Sequence, residues 1–86
     1  MPELSRFYGI SIVFYPREHP PAHFHAQYGD EEAVFDIATL RILQGYLSNR
    51  AKALVLEWAA LHRDELLAAW NAIRAGRTPS KIAPLE

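Results

Sequence analysis

The chain has 86 residues, half of them hydrophobic, with two Trp, four Tyr and four Phe. That is enough apolar material for one compact core, so one domain over 1–86 is expected and disorder is not. There are no cysteines, which excludes disulfides, thiolate metal ligands and a cysteine nucleophile.

Net charge is -1, with three Lys/Arg against six Asp/Glu in residues 1–45 and six against four in residues 46–86. So mild a dipole argues against strong nonspecific DNA binding. Met1–Pro16 lacks a basic stretch followed by an apolar one, and no apolar run approaches ~20 residues. The expectation is therefore a cytoplasmic protein with no membrane partner.

Phe7–Tyr15 alternates and is rich in β-branched and aromatic residues, which predicts a strand ended by Pro16. Ile10, Ile12 and Phe14 share one face; Gly9, Ser11 and Val13 share the other. Pro20-Pro21 then restricts the connection that follows. His23–Tyr28 and Ala33–Ile37 alternate as well, and Gly29-Asp30 between them suits a two-residue hairpin turn. That turn sets Phe24 opposite Phe35, Ala26 opposite Ala33, His23 opposite Asp36 and Gln27 opposite Glu32. A four-residue loop would instead put Asp36 opposite His25. Arg41–Leu47 supplies a fourth, short strand.

From Ser48 the period becomes helical, with Ser48 or Asn49 as N-cap. Ala51, Leu54, Val55, Trp58 and Leu61 form one apolar stripe. Leu66, Leu67, Trp70 and Ile73 form another, rotated by roughly 110° at about 100° per residue. This predicts two helices, or one bent near His62-Arg63-Asp64, with Gly76 as C′. Ile82 and Leu85 are placed to pin the tail. The fold class is α+β: an antiparallel sheet of three to four strands with helices on one face. The other face, carrying Ser11, His23, His25, Gln27 and Asp36, is expected to be wet.

Three of the four histidines fall within seven residues, at His19, His23 and His25. Two imidazoles two apart on a strand project the same way, about 7 Å apart, and can converge on one ion. His19 from the loop and Asp36 from the next strand would complete a site. Such donors suit Zn, Mn or non-haem Fe rather than Ca or Mg. A second reading needs no metal: Asp36 orients one imidazole and the other protonates a leaving group. That makes His23, His25 and Asp36 the candidate catalytic residues, suited to cleavage of an RNA phosphodiester. Arg6, Arg17 and Lys52 are the anion partners available to it. The bland reading is a cross-strand His23–Asp36 pair worth under ~1 kcal/mol. His62 reads as local helix-end structure, Trp58 and Trp70 as core, and Glu31-Glu32 as a solvated edge.

Ser5-Arg6-Phe7-Tyr8-Gly9-Ile10, His19 to His25, Tyr28-Gly29, Asp36-Ile37, Leu56-Glu57-Trp58, His62, Leu66 and Trp70 carry a resemblance. The chain resembles a family of small bacterial and archaeal proteins known as domain of unknown function 4160. It departs from the family pattern in having Pro20-Pro21 directly after His19, with Ala22 before His23, and Leu40 where glycine is frequent. The resemblance implies a cytoplasmic component of a two-gene, toxin–antitoxin-like module, on the toxin side, bound to a small protein encoded by a neighbouring gene. The alternatives are a metal-binding protein or small metalloenzyme using His19, His23 and His25, and a DNA-binding regulator using the helices. Arg63 to Arg74 holds only those two basic residues, so a nucleic-acid partner has the weakest support.

Overall fold

A computed structural model describes residues 3–86. Five strands run in order as an antiparallel meander: β1 (Glu3–Phe7), β2 (Ile10–Val13), β3 (His23–Tyr28), β4 (Glu31–Asp36) and β5 (Ile42–Tyr46). Two helices follow, α1 (Asn49–Leu61) and α2 (Arg63–Arg74).

The sheet thus has five strands where the sequence leads to an expectation of three to four. The stretch Phe7–Tyr15 is not one strand, because the chain reverses at Tyr8-Gly9, with φ of 51° and 80°. Two consecutive positive φ values are the signature of a type I′ turn, whose twist matches the strands it joins. Phe7 consequently faces Ile10, and Ser5 faces Ile12. A bulge leaves Leu4 out of this ladder.

The central hairpin follows the two-residue turn. His23 faces Asp36, Phe24 faces Phe35, Ala26 faces Ala33 and Gln27 faces Glu32. Gly29 has φ 57°, as the first central position of a II′ turn requires. Phe24 and Phe35 are fully buried and stack with centroids 5.2 Å apart. The antiparallel register therefore keeps the apolar face apolar from β2 to β4.

β5 is the outer edge. A second bulge leaves Leu43 unpaired between Ile42, opposite Phe35, and Gln44, opposite Val34. Gly45 has φ 86°, and a Cβ there would stand 2.2 Å from the carbonyl oxygen of Glu32. Only glycine lets β5 approach β4 this closely. The turn before β5 closes through Leu40 at φ 60°, with the Leu40 N–H donating to the Asp36 carbonyl at 2.8 Å. The tight turn survives although leucine replaces the expected glycine.

Val55, Trp58 and Leu66 cover the apolar sheet face. The two helices meet at His62, which ends α1 and precedes α2, so the predicted break falls where the apolar stripe rotates. Ser48 occupies the N-cap position, but its hydroxyl caps nothing; its N–H donates to Glu31 at 2.8 Å. α2 carries Asp64 and Glu65 in its first turn and Arg74 in its last, matching its macrodipole. It closes with a Schellman arrangement, Gly76 N–H to Ile73 at 3.1 Å and Arg77 N–H to Ala72 at 2.8 Å. No helix among the described residues is long and apolar enough to cross a membrane.

The C-terminal tail straps back over β1. The Ile82 N–H donates to the carbonyl of bulged Leu4 at 2.8 Å, and the Trp58 indole N–H donates to Ala83 at the same distance. Both Leu4 and Ile82 are buried. Ile82→Ala is therefore expected to cost about 2–4 kcal/mol in a urea melt, because it opens a cavity where tail, β1 and helix meet. A loss below ~1 kcal/mol would show that the strap is ornamental.

Candidate metal centre

The second face of the sheet is less wet than its sequence pattern suggests. Ser11, Val13 and His23 are buried, His23 retaining only 8% of its exposure. His23 is covered by α2, whose Trp70 meets Phe14 edge-on and lies 4.9 Å from the His23 ring. One end of the face is thereby roofed, and the rest opens as a cleft.

His23 and His25 share this face, and a carboxylate from the preceding loop joins them. Glu18 Oε1 lies 3.3 Å from His23 Nε2 and makes a short contact with His25 Nε2. One ligand atom from each of Glu18, His23 and His25 falls within 4.8 Å of the others. Each imidazole is held from behind. His23 Nδ1–H donates to the Pro21 carbonyl at 2.7 Å, and His25 Nδ1–H donates to Glu32 Oε2 at 2.9 Å. Both Nε2 atoms are therefore turned toward the same point. Tyr15 buttresses His25 edge-on, with ring centroids 4.4 Å apart, and its hydroxyl accepts from the Gln27 amide at 2.8 Å.

The charges of this group are coupled. Partial burial works to raise the Glu18 carboxyl, but hydrogen bonds from His25 and His23 and their charges outweigh it, leaving it below the usual carboxylate range. Burial, followed by the charge of Glu32, pushes the Tyr15 hydroxyl above the usual tyrosine range. Tyr15 thus stays a neutral hydroxyl at physiological pH.

The sequence-predicted residues divide. His23 and His25 come together as expected. His19 is exposed and lies at the wall of the cleft, outside the converging cluster. Its neighbour Glu18 takes the position expected of it. Asp36 faces His23 in the ladder, but its Oδ1 accepts from the backbone of Ala38 and Thr39, at 2.8 and 2.9 Å. It builds the turn before β5 and, among the described residues, bonds no histidine. Arg6 is tied to Glu3 at 2.8 Å, and neither Arg6, Arg17 nor Lys52 lines the histidine cleft. His62 donates to Glu65 at the start of α2, and its ring lies tilted 5.4 Å from that of Trp58, in keeping with a local role.

Two acidic residues were missed. Glu18 sits in an aperiodic loop, where alternation assigns no direction to a side chain. Glu32 reads as a solvated edge from sequence alone, yet it is the partner of Gln27 and so the diagonal neighbour of His25, within reach of its ring.

The family model described as Domain of unknown function (DUF4160) matches residues 9–71. The chain belongs to this family. The DUF4160 match spans β2 to β5, α1 and most of α2, and it includes Glu18, His23, His25 and Glu32. No curated protein and no solved structure matches the chain.

Proposed function

We propose that the chain is a metal-binding protein whose centre is formed by Glu18, His23 and His25. The observation that carries this is the convergence of two Nε2 atoms and one carboxylate oxygen, with each opposite Nδ1 held by an oxygen acceptor. Metal-ligating histidines characteristically donate their other ring N–H to a carbonyl or carboxylate, which fixes the tautomer and raises ligand basicity. Pro21 and Glu32 do this here. Two histidines and one carboxylate on one side leave the remaining positions open, the pattern of non-haem Fe(II) sites and of catalytic Zn sites. With bonds of about 2.0–2.2 Å, an ion would draw together three ligand atoms that already lie within 4.8 Å of one another.

Titration of the apo protein with Co(II), followed by visible absorption and calorimetry, is expected to give one ion per chain with a four- to six-coordinate N/O spectrum. Zn(II) should displace it. A featureless titration at stoichiometric concentrations would remove the centre.

The toxin-like reading uses the same face and is favoured by the bare outer edge of the sheet. β5 is exposed along its length and carries no charged residue, a surface suited to a partner strand. In that reading, expression of the chain alone inhibits growth, co-expression of the neighbouring gene relieves it, and His23→Ala abolishes it. Growth unaffected by the parent chain would remove this reading and leave the metal centre standing.

A further inference from the structure

The three protein ligands sit at the wall of a cleft of about 530 Å³. That volume admits a small molecule, so the open coordination positions face space that a ligand can fill. The walls differ in character. Pro21, Val34 and Leu43 are apolar, Gln44 offers an amide, His19 an imidazole, and Glu32 a second carboxylate. No lysine or arginine is among the described lining residues.

This charge pattern selects the ligand. A diacid or a phosphate ester would find its metal-bound end neutralised, but any remote negative charge would lie against Glu32 and apolar walls, with no lysine or arginine and only the exposed His19 imidazole at the rim to meet it. A ligand whose charge resides wholly on two chelating oxygens places all of it on the ion. Its uncharged body can then lie against Pro21, Val34 and Leu43.

We propose that the open side of the Glu18–His23–His25 centre binds a small bidentate oxygen chelator with no remote negative charge, of the catecholate or hydroxamate class. This inference rests on the metal centre proposed above. It assigns the cleft walls a part in choosing the ligand, with Glu32 and the apolar Pro21, Val34 and Leu43 together disfavouring remote negative charge.

The probes are catechol and acetohydroxamate, against 2-oxoglutarate and inorganic phosphate, added to the Fe(III)-loaded protein. Catechol and acetohydroxamate are expected to give saturable visible charge-transfer bands, and to bind at least about tenfold more tightly than 2-oxoglutarate or phosphate. Leu43→Lys, at a half-exposed position on β5 that ligates nothing, should leave metal content unchanged and narrow this preference by about tenfold or more. A loaded protein that gives no band, or binds 2-oxoglutarate or phosphate as tightly as catechol, overturns the ligand assignment and leaves the metal centre intact. A Leu43→Lys variant with unaltered preference overturns the part given to the cleft wall. Failure to load any metal overturns the centre, and this ligand with it.

Discussion

Trp58→Ala is expected to destabilise the fold by about 3–5 kcal/mol, the largest loss from any single truncation. The indole is fully buried on α1 and touches three parts of the core. Phe7 lies 5.2 Å away and Phe24 6.1 Å, so one side chain joins β1, β3 and the helix layer. Its N–H also holds the tail through Ala83. Truncation removes the apolar area, leaves a cavity bounded by rings that cannot collapse, and frees the Ala83 carbonyl and its strap. Against a typical total of ~5–15 kcal/mol for a domain, that loss leaves little or nothing. Urea melts by circular dichroism give the test, with Leu61→Ala as the control. Leu61 is 69% exposed on the same helix, so its truncation should cost under ~0.5 kcal/mol. Comparable losses for the two would mean that the helix layer is not anchored through Trp58.

The apolar half of this architecture is legible in the sequence because burial imposes a period. Phe24 and Ala26 alternate with His23 and His25, Phe35 and Ala33 answer them, and the Gly29-Asp30 turn leaves one register that keeps both faces consistent. The helix break is legible for the same reason, since the stripe on Ala51, Val55 and Trp58 does not continue onto Leu66 and Trp70. β1 was hidden because Tyr8 adopts a positive φ that composition does not announce; Tyr8-Gly9 lacks the Asn-Gly or Asp-Gly form of a type I′ turn. The roof over His23 was hidden because Trp70 serves both the core and the site. No stripe analysis shows that one ring lies against both Phe14 and His23.

The polar half is legible only where it rides on a strand. His23 and His25 were placed on one face by the pleat. Asp36 was placed correctly in the ladder, but position in a ladder does not decide what a short carboxylate bonds. Two backbone N–H groups, from Ala38 and Thr39, lie nearer than any imidazole and satisfy it, as aspartate commonly does at the start of a turn. Glu18 has a longer reach and comes from a loop that passes through Pro20-Pro21 and Ala22 into β3. It is brought over the sheet by chain path rather than by period.

This distinction fixes the order of effects on metal binding. Glu18→Ala, His23→Ala and His25→Ala each remove one of the three proposed ligands, and each is expected to weaken Co(II) or Zn(II) affinity by more than about a hundredfold, that is over ~2.7 kcal/mol. Glu32→Gln keeps the ligands and loses the carboxylate behind His25, so a loss of about 10–100-fold is expected. His19→Ala should change affinity by less than about threefold, because His19 lies outside the converging atoms. Asp36→Ala should also leave affinity nearly unchanged while lowering stability by ~1 kcal/mol through the lost turn. Competition against a chromophoric chelator reads the affinities, and circular dichroism confirms that each variant is folded. The decisive comparison is Glu18 against His19. The loop turns Glu18 toward the two imidazoles and leaves His19 outside them, so a loss on His19→Ala with Glu18→Ala silent would mean the loop turns the other way and the centre is the three-histidine one.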